Sequence, residues 1–170
     1  MPRHLVFYGK EILSQVAQPV ENIDDDIISL IDEMFKIMYK EKGVGLAAPQ
    51  VDLARRIVVI DTGENKGEKI AIINPVITGA SDRLVPYEEG CLSLPGINAD
   101  VVRPDSVFVK GINPRGKEME IEAKGFLARV FQHEIDHLEG ILFIDRVEKY
   151  IRDELRSDLK KIKKLNKQAG

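Results

Sequence analysis

The spacing of apolar residues divides the chain into stretches of helical period and stretches that alternate. In DDDIISLIDEMFKIMYKEKG, residues 24–43, Ile27, Leu30, Ile31, Met34, Phe35, Ile37 and Met38 recur at helical intervals behind an Asp-rich start. The segment predicts a first helix, with Gly43 as its C-terminal cap. RIVVID (56–61) and KIAIINPVI (69–77) predict strands separated by a turn rich in Gly, Asn and Lys. SVFVKGI (106–112) and KEMEIEA (117–123) predict two more around Asn113-Pro114-Arg115-Gly116, with period-two alternation from Glu118 to Ala123. Helical spacing returns in GFLARVFQHEIDHLEG (125–140) through Phe126, Leu127, Val130, Phe131, Ile135 and Leu138, and stops at Gly140. Ile151, Leu155, Leu159, Ile162 and Leu165 then form one apolar stripe, as in a terminal amphipathic helix. Strands bracketed by helices without regular βαβ alternation imply an α+β fold.

Composition narrows the picture. A chain of 170 residues, 44% hydrophobic and 31% charged, has the balance of one globular domain. No repeat, low-complexity segment or linker divides it, so a single domain is read, with residues 1–147 as its body and 148–170 as a basic helix of the same domain. The apolar run Leu5 to Phe7 is too short for a secretory signal, and no later run approaches a membrane span, so a cytoplasmic, non-membrane protein is expected. The net charge of −3 is uneven: from Glu148 onward eight Lys/Arg face four Asp/Glu, whereas the preceding residues carry seventeen against twenty-four. The single cysteine, Cys91, excludes an intramolecular disulfide and is a packing residue, a reactive thiol or a metal ligand.

The candidate chemistry lies in QHEIDHLEG, residues 132–140. His133 and His137 stand one helical turn apart and project from the same face, and Glu134 lies beside them without having to bind metal. The alternative is a helix with two satisfied core histidines. A catalytic zinc-type site has three protein ligands and an open position, so a third ligand must come from elsewhere. The metzincin extension would put it at residue 143, which is Phe143. Glu148 and Glu154 are downstream carboxylates beside a solvated basic segment, and His4 is an isolated terminal histidine. Cys91 is the strongest remaining donor, because a thiolate binds borderline-soft metals well and EGCLSLPG (89–96) reads as a Gly/Pro-rich loop that permits close approach.

Three segments together, GVGLAAPQ (43–50), EGCLSLPG and QHEIDHLEG, resemble the signature motifs of the peptide deformylases in order and spacing, supported by INPV (73–76) and the pair Arg103-Pro104. The resemblance covers most of the chain. It implies antiparallel sheets packed around a central metal-binding helix, and a metal amidohydrolase that removes the formyl group from the N-terminal formylmethionine of nascent chains. Cys91, His133 and His137 would be the ligands of one divalent ion, with Fe(II) native and Zn(II), Ni(II) or Co(II) accepted. Glu134 would be the general acid/base, with the Gln50 amide and the Leu92 N–H as donors to the carbonyl oxygen. Gly43, Val44 and Gly45 would pair with an extended peptide, and Val44, Leu92, Tyr87, Phe126, Val130 and the face of His133 would enclose methionine. Each of these apolar residues is equally explicable as core, and Leu46 and Ala47 to Pro49 read as close packing. Asp136 orients a partner or is solvated.

The chain departs from the family at Lys10-Glu11-Ile12-Leu13-Ser14, where Asp-Pro-x-Leu-Arg is common and packing alone should change. Asn98 stands where some members carry an arginine near the downstream end of the substrate. Two rivals are a zinc-stabilised RNA-binding module, which lacks a convincing fourth ligand, and a zinc endopeptidase, which the same H-E-x-x-H allows. The resemblance also implies docking on the ribosome, which the lysines of the C-terminal helix suit; the alternative is that they simply keep the helix solvated.

Overall fold

The structure, a computed structural model, describes residues 2–64 and 69–169. Helix α1 (Asp25–Lys40) begins where the Asp24 carboxylate accepts the Ile27 N–H at 3.0 Å, with Asp25 and Asp26 in the first turn. Gly43 is not its cap: the cap is Glu41, and Lys42 takes the left-handed conformation at φ 61°. The Gly43 N–H then donates to the Met38 carbonyl at 2.8 Å, closing the end of the helix. Gly43 is small for another reason, since a Cβ there would lie 2.8 Å from a Leu92 methyl.

Seven strands follow among the described residues: β1 (Gly45–Ala47), β2 (Ile57–Ile60), β3 (Ile70–Ala80), β4 (Leu84–Cys91), β5 (Leu94–Pro104), β6 (Ser106–Ile112) and β7 (Glu118–Lys124). All pairings between them are antiparallel. β1-β2-β3-β6-β7 make one sheet and β4-β5 a separate hairpin, so the architecture is α+β as expected. The turn expected between β2 and β3 falls partly on residues 65–68, outside the described residues. The segment EGCLSLPG is not a loop: Glu89 to Cys91 end β4, Leu94 opens β5, and the turn between them is only two residues long.

Helix α2 (Gly125–Leu138) buries Ala128, Val130, Phe131, Ile135 and Leu138 against Val58, Ile60 and Ile72 of the large sheet and Val107 and Val109 of β6. Its C-cap is Glu139, and Gly140 follows at φ 75°, where a side chain would strike the Ser14 carbonyl. A second core joins α1 to β1, β2 and β3 through Leu30, Met34, Met38, Leu46, Ile57 and Ile73.

The basic segment is not one amphipathic helix. It forms α3 (Lys149–Glu154), α4 (Arg156–Lys163) and α5 (Leu165–Ala169). Tight bonds from the Leu155 N–H to the Arg152 carbonyl and from the Lys164 N–H to the Lys161 carbonyl mark the breaks. The apolar stripe nevertheless acts together: Leu159 and Ile162 are buried, and Ile151, Leu155 and Leu165 pack around them in a third core with Val6, Leu13, Leu94, Ile97, Val101 and Phe143. The divergent segment Lys10 to Ser14 enters that core through Leu13, in a 3-10 turn spanning Glu11–Ser14.

Candidate metal centre and its cleft

Helical periodicity presents Arg129, His133 and Asp136 along one side of α2, away from the apolar residues that meet the sheet. His133 and His137 are both buried, their ring centroids 5.2 Å apart. The end of β4 delivers Cys91, whose Sγ lies 3.4 Å from His137 Nε2. One ligand atom from each of Cys91, His133 and His137 falls within 4.8 Å of the others. Bond lengths to sulfur and imidazole nitrogen would place two tetrahedral donors of one ion roughly 3.5 Å apart, so the residues fit a metal. His4, Glu148 and Glu154 are exposed and stand outside this cluster.

Glu89 was not singled out from the sequence, yet it organises the site. It is 4% exposed and accepts from His133 Nδ1 at 2.9 Å, Arg103 Nε at 2.7 Å and Arg129 at 2.8 Å. Bonding one ring nitrogen fixes the orientation of the His133 imidazole and frees Nε2 for an ion. Burial opposes ionisation of Glu89, but hydrogen bonds and charge from His133 and Arg103 hold its carboxyl at about 2. Arg103 also reaches Asp136 at 2.8 Å, and Arg146 pairs with both Asp136 oxygens, so Asp136 is a partner within the network rather than a solvated residue. Arg129 donates further to the Val85 and Val101 carbonyls, tying α2 to both strands of the hairpin. A signal for Arg129 existed in the sequence: it precedes His133 by one helical turn, so a charge had to lie on the same face of the helix as that histidine.

Glu134 is buried beside these three side chains, and its Oε1 has no hydrogen-bond partner among the described residues; the same holds for His137 Nδ1. Burial pushes the Glu134 carboxyl up to about 7, Glu89 reinforcing this while His133 and Arg103 oppose it. Burial works against charge on both imidazoles. At His133 the Glu134 carboxylate and bonds to Cys91 and Glu89 overcome it and raise the ring well above its usual value. At His137 burial prevails, helped by the charges of His133 and Arg103, and the ring falls well below.

Gln50 is only 1% exposed, not the surface residue its type suggests. Its Oε1 accepts the Ala47 N–H at 3.0 Å, which aims Nε2 at Ser93 Oγ, 3.2 Å away, and Cys91 Sγ, 3.5 Å away. Leu92 borders the same cleft with Gly43, Val44, Gly45 and Gln50. Gly45 has no room for a side chain, since a Cβ would lie 2.7 Å from Glu134 Oε2 and 2.9 Å from a Val130 methyl. Val44, Tyr87, Phe126 and Val130 come together with His133 around a cavity of about 280 Å³. The Tyr87 ring lies 5.8 Å from that of Phe126 and 5.6 Å from the Arg129 guanidinium, so Phe126 is a wall of this cavity as well as a neighbour of the α2 core. Leu46, Ala47, Ala48 and Pro49 are buried packing residues. Asn98 is exposed on β5 opposite Gly90.

Residues 2–153 match the family model of polypeptide deformylase. The chain is 46% identical over 168 residues to the peptide deformylase of Brachyspira hyodysenteriae, an alignment covering 96% of this chain and 90% of that one. It is 47% identical over 161 residues to that of Picosynechococcus, covering 94% and 85%. Among solved structures it is similar to a peptide deformylase from Legionella pneumophila, with a TM-score of 0.90, 42% identity and 97% of each chain covered. A Synechococcus elongatus peptide deformylase in complex with actinonin gives a TM-score of 0.87 at 40% identity, covering 92% of this chain and 86% of that one.

Proposed function

The chain belongs to the polypeptide deformylase family, and on that premise we propose that it removes the formyl group from the N-terminal formylmethionine of nascent polypeptides, as a metal-dependent amidohydrolase that releases formate. The observation that carries this reading is the meeting of Cys91, His133 and His137 beside a buried Glu134 with a free oxygen, in a cleft bordered by a sheet edge. A divalent ion bound by these three donors, Fe(II) as the native one and Zn(II), Ni(II) or Co(II) as substitutes, supplies Lewis acidity toward the water and the formyl carbonyl.

The protein's own groups perform the rest. Glu134 takes a proton from the attacking water and delivers it to the departing amine nitrogen, which leaves poorly unless protonated. The Gln50 amide and the Leu92 N–H donate to the carbonyl oxygen as it gains charge; losing one such donor costs about 3 to 4 kcal/mol. Val44 turns its carbonyl inward to the Asp61 N–H, so alternation turns the amide and carbonyl of Gly45 to the open edge, where an extended peptide can pair. Backbone pairing of this kind is indifferent to side chains. Methionine then occupies the cavity between Val44, Tyr87, Phe126 and Val130.

Residues 1–147 are the catalytic part and 148–170 a basic helical extension of one domain, which docks on the ribosome. Lys160, Lys161, Lys163, Lys164 and Lys167 are exposed while Leu159 and Ile162 face the core, which supports docking by charge alone. A cytoplasmic location agrees with this; among the described residues no helix is long and apolar enough to cross a membrane.

Formate release from a formyl-methionyl peptide, with the chain left intact, is the expected result. Glu134→Gln should keep its metal and lose about 10²–10⁴ in kcat. Loss of metal in step with rate would make Glu134 a ligand, and cleavage of unformylated peptides at internal bonds would indicate the endopeptidase instead.

A further inference from the structure

The cleft does not end beside the methionine cavity. It extends over about 840 Å³ from Cys91, His133 and Glu134 to Phe7 and Leu165, so α5 supplies one of its walls. The Asn166 side chain ties α5 to residues 7 and 8 there. Asn166 Oδ1 accepts the Phe7 N–H at 2.8 Å, and Nδ2 donates to the carbonyls of Phe7 at 2.9 Å and Tyr8 at 3.1 Å. The amide thus serves as a strand neighbour, satisfying donor and acceptor of one residue.

The opposite edge of the same segment is bonded to the site itself. The Val6 N–H donates to the Gln50 carbonyl at 2.8 Å and the Tyr8 N–H to the Ser93 carbonyl at 2.9 Å. Residues 6–8 are therefore held between Asn166 on one side and, on the other, the turns that carry Gln50 and follow Cys91. Phe7 and Leu165 keep part of their apolar surface exposed toward the cleft, with Pro95 at its margin. Such surface gains from contact with another apolar group.

We infer that Leu165, Phe7 and Pro95 form a subsite for an apolar side chain downstream of the formylated methionine, and that Asn166 is its positioning residue. The inference rests on the deformylase reading above. Its occupant is the substrate because the cleft is continuous from the metal ligands past Gly43, Val44 and Gly45 to Leu165. An extended peptide advances about 3.3 Å per residue, so a chain pairing with β1 carries its later residues along the cleft.

The test uses formyl-Met-Ala and longer peptides bearing Leu or Asp at the third, fourth or fifth position, with the wild type, Leu165→Asp, Leu165→Met and Asn166→Ala. The wild type should prefer Leu over Asp at one of these positions by about tenfold in kcat/KM, mainly through KM. Leu165→Asp should abolish or reverse that preference, Leu165→Met should retain it, and Asn166→Ala should reduce it at the same position. Equal rates for Leu and Asp at every position in the wild type would overturn the subsite whatever the variants do. A loss shared equally by formyl-Met-Ala and all longer peptides, together with a lower Tm, would also overturn it and leave Asn166 a clamp between the termini. Absence of formate release from formyl-Met-Ala by the wild type would instead overturn the deformylase reading, and the subsite with it.

Discussion

The large sheet and the β4–β5 hairpin hold the same helix by different physics. The sheet meets α2 through Val58, Ile60, Ile72, Val107 and Val109, an apolar contact with no fixed direction. The hairpin meets it through Glu89, Arg103, Arg129 and Asp136, together with the carbonyls of Val85 and Val101. Burial against the sheet makes α2 stay. Bonds to the hairpin decide how the His133 ring is turned and where Cys91 stands relative to it. A metal site needs that second kind of constraint, because ligand atoms misplaced by an ångström no longer share an ion.

Breaking the polar side should have the largest effect. Glu89→Ala leaves the Arg103 and Arg129 guanidiniums buried without their shared carboxylate and His133 without its partner. We expect a loss of about 3–5 kcal/mol in denaturant unfolding and metal affinity weaker by about 10–100-fold in a chelator competition. Full metal affinity in a folded Glu89→Ala would show that His133 is oriented by packing alone. On the apolar side, Ile72→Val should cost about 0.5–1.5 kcal/mol, with metal affinity and kcat close to wild type. A large fall in metal affinity there would erase the distinction between the two sides.

The smallest effect is expected at an exposed polar contact outside the network. The Tyr39 hydroxyl donates to Asp61 at 2.6 Å, and this bond, with some burial and the Asp61 charge, raises the phenol to about 12 from an ordinary 10. The neutral phenol is the form the fold favours, so its contribution is complete below pH 10 and disappears as pH rises toward 12. Tyr39 is 48% exposed, and solvent screening keeps the contribution below about 1 kcal/mol. Unfolding measured across that range should show a slightly steeper fall in the wild type than in Tyr39→Phe; identical slopes would mean that the bond contributes nothing to stability.

The two sides also differed in how far they could be read beforehand. The sheet strands announce themselves by apolar residues at regular positions, Val and Ile in β2, β3 and β6 and Met119, Ile121 and Ala123 in β7, so four of its five strands follow from that pattern; β1, only three residues long, does not. β4 is hidden because its burial runs against its hydrophobicity: the charged Glu89 is buried while Leu84 and Tyr87 are exposed. β5 does alternate, burying Ile97, Ala99 and Val101 between exposed Asn98, Asp100 and Val102, but its inward series ends on the charged Arg103. Alternation of apolar and polar residues cannot reveal a strand whose inward side chains are ions. The C-terminal stripe was legible for the opposite reason, although its division into three helices was not.

The sequence by itself determined what depends on short separations: the helix that carries His133, Glu134 and His137 on adjoining positions, the Gly140 stop, and the strands around the Asn113 turn. Comparison of the possible third ligands left Cys91 as the strongest donor, and resemblance in three motifs added Gln50. Only the tertiary structure decided which of 28 acidic residues buttresses His133, that Gly45 is glycine because Glu134 approaches it, and that Asn166 reaches back to Phe7 across 159 residues. Helical and strand periods follow from local backbone geometry and repeat in any context. The partner of a buried charge is chosen by how distant segments pack, and nothing in the spacing along the chain encodes that choice.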